Sequence, residues 1–233
     1  MWTSRLIRII WCDLIERAHS RDEPAILVTF NYDTLLEDAL IDFGLEIKEI
    51  RDYTKKHPFY RVFKVHGSVN WVRILKNEIQ SQNASNYDLV AKEWIRRAPE
   101  LQLTDEYLWE PALPSAFDRQ RRPAFPAIAI PVEKGKSFEC PADQIEELKA
   151  LLPQVSKLLV IGWRAGEQHF LDLLKAHLSA PIHLYVVTGA TGEAEDVRSI
   201  IVQSHRDGRW TNAEVSGLGF TDFILSGKAS TFL

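Results

Sequence analysis

Four apolar runs in this chain break off on residues that can hydrogen-bond, carry charge or permit a tight turn. LVTF ends on Asn31-Tyr32-Asp33, FYRVFKV on His66-Gly67, KLLVI on Gly162-Trp163-Arg164, and HLYVV on Thr188-Gly189. Each type has a definite chemical capacity. A neutral imidazole accepts a proton near neutral pH, where its ordinary pKa of ~6.5 lies. An amide donates and accepts at once, so Asn31 can hold a water molecule. A guanidinium such as that of Arg164 can grip a phosphate through its fork of donors. The same residues also have ordinary roles. Asn and Asp form strand-to-helix turns by bonding local backbone N–H groups, His-Gly is a common turn, and Gly162 can simply permit a tight bend.

The elements that must position these residues follow from hydrophobic spacing. Leu6, Ile9, Ile10, Leu14 and Ile15 predict an amphipathic first helix from about Thr3 to Ala18. The polar link Ser20 to Glu23 leads to the strand AILVTF. Thr34-Leu35-Leu36-Glu37 has the capping-box pattern and opens a helix that ends near Gly44. Its first apolar residues, with Tyr32, are expected to pack as core or pocket wall: Tyr32, Leu35 and Leu36. FYRVFKVHG reads as one strand closed by His66-Gly67. Val72 to Pro126 is rich in charge and holds Trp94, Trp109 and five prolines, with a helical centre near Tyr87 to Arg97; it reads as an insertion or small subdomain.

Beyond it, PAIAIP is a short strand and CPADQIEELKALLP a helix, with Pro141 near its start and Pro153 after its end. SKLLVIG and PIHLYVVTG are strands, each followed by a helix, EQHFLDLLKAHL and GEAEDVRSIIVQS; the tail GFTDFIL reads as an edge strand. Strands alternating with helices predict an α/β fold whose parallel sheet is covered on both faces. Ligands bind such sheets at the carboxyl ends of the strands. The four interruptions therefore fall on one rim.

The bulk numbers narrow the classes. The chain has 233 residues, 45% hydrophobic and 26% charged, which suits a single globular domain. A net charge of -4 offers no basic field for nucleic acid, and the dense cluster Arg119 to Arg122 reads as a solvated loop. Cys12 and Cys140 make no disulfide framework and no CxxC pair, and so favour a reducing, cytoplasmic setting. No run approaches ~18 apolar residues, so no membrane span is expected.

Three segments, TFNYDTLLE, KVHGSVNW and LLVIGWRAGEQHFLDLL, in this order, resemble the prokaryotic sirtuin-like NAD-binding domains, many of which occur in antiphage defence proteins. The resemblance runs from about Leu6 to Leu225. It implies a Rossmann-like parallel sheet with helices on both faces and a mostly helical insertion. It also implies NAD as substrate or ligand and a hydrolase (NADase) activity on the nicotinamide–ribose bond. On this reading Asn31 positions the ribose and the attacking water, His66 is the general base, and Asp33 supports the nicotinamide side. Thr29, Asp33, Gly67, Gly162, Trp163, Arg164 and Thr188 form the implied nucleotide-binding set.

Two differences from the family shape the expectation. With two cysteines the chain cannot build the four-cysteine zinc module of sirtuin deacylases, so neither zinc nor deacylation is expected. The family's G-A-G-x-S turn after its first strand does not occur before Leu27, so the sequence reads as starting inside the fold. Arg164 stands where many relatives carry Ser. The expected outcome is weak hydrolysis or none by this chain alone, with self-association unless another segment, such as an additional N-terminal one, covers the bared edge. A non-catalytic nucleotide-binding or protein-interaction module with the same fold is the other reading.

Overall fold

A computed structural model describes residues 16, 20, 24–44, 46–54, 57, 59–76, 92–93, 96–97, 100–110, 124–129, 138–179, 181–204 and 208–232. The first predicted helix lies almost wholly outside them.

β1 (Ala25–Thr29) pairs in parallel with β2 (Tyr60–Lys64), in register from Ala25↔Tyr60 to Thr29↔Lys64. Between them, α1 (Leu35–Leu40) runs into a 3-10 turn, Ile41–Phe43, which Gly44 closes in the left-handed region at φ 85°. The predicted helix end at Gly44 is therefore where it was expected, and glycine supplies the conformation that end requires.

The predicted capping box does not form. Thr34 makes no side-chain cap bond. Asp33 Oδ1 instead accepts the Leu35 N–H at 3.1 Å, and Glu37 is turned inward and buried. The expected packing of this helix changes with it. Tyr32 is 49% and Leu35 43% exposed, whereas Leu40 is fully buried and Leu36 rests on the main core. A six-residue helix presents one narrow face, and here Leu36, Glu37 and Leu40 occupy it rather than Leu35.

FYRVFKVHG is not one strand. β2 stops at Lys64, Val65 and His66 turn, and β3 (Gly67–Leu75) returns as the centre of an antiparallel sheet, between β4 (Leu103–Trp109) and β5 (Ala124–Ile128). The described residues of Val72–Pro126 thus contribute strand at both ends. Of the predicted helical centre, 92–93 and 96 are described as helical.

The second half of the chain follows the predicted alternation. α2 (Ala142–Leu151) begins after Pro141 and passes into a 3-10 turn holding Pro153. β6 (Lys157–Ile161), α3 (Gln168–His177), β7 (Ile182–Val187) and α4 (Thr191–Ser204) come next. β8 (Trp210–Ser216) completes a parallel sheet of order β6-β7-β8. The tail segment GFTDFIL is helix, α5 (Gly219–Leu225), followed by α6 (Lys228–Phe232). β8 lies at one edge of that sheet, and its polar sequence WTNAEVS carries little apolar signal.

Alternation along β7 places a helix layer on each face. Leu184 and Val186 pack with Ala194, Val197 and Ile201 of α4. Tyr185 and Val187 pack with Phe223, Ala229 and Phe232 of the tail helices. The main core joins β1, β2 and β3 to α2 and α3 through Leu27, Val62, Phe63, Trp71, Leu148 and Leu174. The architecture is α/β, with parallel sheets and helices on both faces of the β6–β8 sheet.

Candidate functional site

The in-register pairing of β1 and β2 decides how the first two interruptions meet. Thr29 and Lys64 are the last register pair, and the Val65 N–H continues the ladder to the Thr29 carbonyl at 3.2 Å. Asn31 and His66 each follow two residues beyond that pair. They leave the sheet side by side on one rim.

The Asn31-Tyr32-Asp33 turn is held at each residue. Thr29 Oγ1 accepts the Asn31 N–H at 3.0 Å. The Tyr32 carbonyl accepts the Val69 N–H at 2.8 Å and the Ser68 hydroxyl at 3.4 Å. The Asp33 carbonyl accepts from the Lys64 ammonium, and the Asp33 carboxylate caps α1 through Leu35. The Asn31 side chain is left exposed.

Gly67 has a backbone reason for its identity. Its φ is 77°, and a Cβ there would stand 1.9 Å from the Ala127 carbonyl oxygen on β5. The glycine lets β3 approach β5 closely and sets the direction in which His66 leaves the turn.

Phe30 joins this rim to that of β6. Its ring stacks on Trp163 at 5.1 Å with 5° between planes. It also meets His66 edge-on at 5.0 Å and Phe170 at 5.0 Å. The Trp163 indole N–H donates to the Glu167 carboxylate. Gly162, at φ 65°, ends β6 with its N–H on the Val187 carbonyl, and Arg164 is exposed beside Trp163. The structure therefore brings together Thr29, Asn31, Asp33, His66, Gly67 and Trp163, with Gly162 and Arg164 flanking the tryptophan. Thr188 stands apart. It is buried at the end of β7, and its hydroxyl donates to the Ala190 carbonyl at 2.7 Å, within the turn into α4.

His66 has a neighbour that the sequence did not single out. The His169 ring lies 6.4 Å away, nearly parallel, with its Nε2 buried and unpaired among the described residues. Burial lowers the pKa of His66; Glu167 pulls it back up and His169 pushes it down further. Burial likewise lowers His169, against Glu167 and Asp172. Both imidazoles are thus biased to the neutral form near pH 7, which suits proton acceptance. Phe138 meets the His169 ring at 4.5 Å and also lines an open cleft of about 1030 Å³ with Arg73, Tyr107 and Glu139. Phe138 thus separates the histidine pair from that cleft, which neither His66 nor His169 lines.

Phe30, Glu167, His169 and the buried pair Lys64–Glu37 belong to this site or its support. Phe30 looked like one more strand residue, and His169 like one polar residue in an amphipathic helix. Only the tertiary contact between α3 and the β2–β3 turn distinguishes them.

Among proteins of known sequence families, residues 25–107 match the model described as SIR2-like domain. This span includes Asn31, Asp33 and His66. No curated protein matches the chain. Among solved structures, a Sir2–p53 peptide–NAD+ complex is 12% identical, with a TM-score of 0.46 over 97% of this chain and 69% of that one. A structure described by its basis for sirtuin substrate affinity is 14% identical, with a TM-score of 0.47 over 95% and 66%. A Sir2 homologue bound to ADP-ribose is 12% identical, with a TM-score of 0.45 over 97% and 68%.

Proposed function

We propose that this chain binds NAD, or a closely related nucleotide, at the rim formed by Asn31, His66 and Trp163, and that the site hydrolyses the nicotinamide–ribose bond. The observation that carries this reading is the side-by-side exit of Asn31 and His66 from in-register strands, with His66 half-buried against Phe30 and biased to its neutral form. The SIR2-like match over residues 25–107 supports it, since that span holds both residues.

The chemistry places few demands on the protein. As the nicotinamide–ribose bond lengthens, the sugar gains oxocarbenium character and nicotinamide leaves as a neutral base. A water molecule held by the Asn31 amide adds to the sugar carbon. His66 takes the proton, from that water or from a ribose hydroxyl, leaving ADP-ribose. Preorganised groups aimed at developing charge supply the acceleration. The Asp33 carboxylate, with one oxygen already capping α1, faces the nicotinamide side through the other. Arg164 meets a phosphate. In the cell such an enzyme would deplete NAD, and the resemblance to antiphage proteins gives that activity a defensive role.

The test is incubation of the purified chain with NAD, with nicotinamide release followed by chromatography and ADP-ribose binding by calorimetry. We expect slow release that His66→Ala and Asn31→Ala abolish. A chain that neither releases nicotinamide nor binds ADP-ribose overturns the reading.

A further inference from the structure

We infer that Lys64 is a positioning residue for the Asn31-Tyr32-Asp33 turn, with its ammonium gripping the Asp33 carbonyl from below while Glu37 and Tyr53 hold the ammonium in place. The inference rests on the proposed function for its catalytic consequence, but not for its geometry.

Lys64 is the last residue of β2 and is fully buried. Its Nζ donates to the Asp33 carbonyl and to Glu37 Oε1, the latter at 2.7 Å. Tyr53, also buried, donates its hydroxyl to the same Glu37 oxygen at 2.9 Å. The three side chains come from β2, α1 and the segment after the 3-10 turn Ile50–Asp52, so one ammonium ties three parts of the chain to one carbonyl.

Stability alone does not explain this cluster. Replacing a buried ion pair by apolar residues of similar size is often neutral or stabilising, because both charges must be desolvated. Here the arrangement is costlier still, since Glu37 Oε2 is buried without a partner among the described residues. An apolar pair of the same volume could fill the space, but it could not bond the Asp33 carbonyl.

That carbonyl matters because the turn is held by hydrogen bonds rather than by packing. Tyr32 is half exposed, and the Asn31 side chain is exposed. Packing therefore does not fix these residues, and their position depends on backbone anchors. Thr29 supplies one at Asn31 and Val69 one at Tyr32. The buried Ser68 hydroxyl adds a longer bond at Tyr32, and Lys64 supplies the anchor at the Asp33 carbonyl, the one that comes from a charged group. Small displacements of a positioned group cost up to ~100-fold in rate.

The decisive variant is Lys64→Met with Glu37→Gln. It removes both charges, keeps the volume, and leaves an amide oxygen to accept from Tyr53. Hydrogen exchange of the full-length chain, followed by mass spectrometry, reads the turn directly. The expected result is exchange at least ~10-fold faster over residues 31–35, with β7 amides unchanged. NAD turnover should fall ~10- to 100-fold in kcat with KM little moved. Tyr53→Phe, a milder change, should raise exchange over residues 31–35 by a smaller factor. Unchanged exchange in that turn for both variants overturns the inference. If the double variant also loosens β7, Tyr53→Phe alone decides. A wild-type chain that releases no nicotinamide would count against the proposed function, and the exchange result would still decide the role of Lys64.

Discussion

The Phe30 ring lies flat against the Trp163 ring, 5.1 Å between centroids and 5° between planes, and so couples the end of β1 to the end of β6. β1 and β6 are not hydrogen-bonded to one another. The stack is therefore a direct side-chain link between the rim holding Asn31 and His66 and the rim holding Gly162 and Arg164. Phe30→Ala should lower stability by about 2–3 kcal/mol, below the ~3–5 of a fully buried phenylalanine because Phe30 keeps some exposure. It should also strip the apolar wall from His66 and so raise its pKa toward the ordinary value. Urea midpoints and an NMR titration of His66 check the two effects separately.

The histidine pair sets a sign for pH dependence. His66 and His169 both have folded-state pKa values lowered chiefly by burial. A lowered histidine pKa means that the unfolded chain takes up protons first. The stability it contributes is complete above the unfolded value of about 6.5 and is lost as pH falls through the folded value. The wild-type chain should therefore lose stability between pH 7 and pH 5, and His66→Gln/His169→Gln should lose less over the same range. Nicotinamide release should rise with pH through an apparent pKa below 6.5 and then level off. Denaturation midpoints at several pH values check the first claim. A release rate that falls on going from pH 5 to pH 7 would contradict the second.

Gly67 and Gly162 both adopt positive φ, at 77° and 65°, yet alanine should affect them differently. At Gly162 no heavy atom lies within 4 Å of the added carbon. Only the left-handed backbone is penalised, by about 1–2 kcal/mol. At Gly67 the same penalty is joined by a 1.9 Å collision with the Ala127 backbone, which neither β3 nor β5 can relieve without breaking register. Gly67→Ala should thus destabilise by more than about 3 kcal/mol. Thermal unfolding of the two variants side by side measures the difference, and equal shifts would show that β5 yields.

How much of this was legible in the sequence depends on the range of the signal. The break at Asn31, the helix end at Gly44 and the strand–helix alternation from Pro141 to Ser204 are local patterns, and they were readable. The Asn31–His66 rim followed from them once β1 and β2 were taken as parallel. What escaped were features fixed by distant partners. Glu37 has the spacing of a capping residue, yet Lys64, far along the chain, draws it into the core. β8 is a polar strand that pairs in parallel with β7, and GFTDFIL is an apolar segment whose Phe223 packs on the Tyr185 face of β7 as a helix. His169 gains its place only when α3 docks beside the β2–β3 turn. Thr188 shows the opposite case: a rim position was read correctly, but the hydroxyl is taken by its own turn.

Arg164 gives the sharpest test of the phosphate side. It is exposed, one residue beyond the Trp163 stack, and makes no side-chain hydrogen bond or ion pair among the described residues. Arg164→Ala should therefore leave the unfolding midpoint within about 0.5 kcal/mol of wild type, as surface changes generally do. If its guanidinium meets a phosphate, ADP-ribose affinity should fall by about 10-fold, in line with the loss of one charge-assisted contact. Arg164→Lys should recover only part of that, since an ammonium offers no planar fork. The effect should also shrink as salt is raised, because an exposed charge is screened. Calorimetry with ADP-ribose at two ionic strengths, on wild type and both variants, reads all three expectations. Equal affinity for all three proteins would move the phosphate contact away from the Gly162–Arg164 turn.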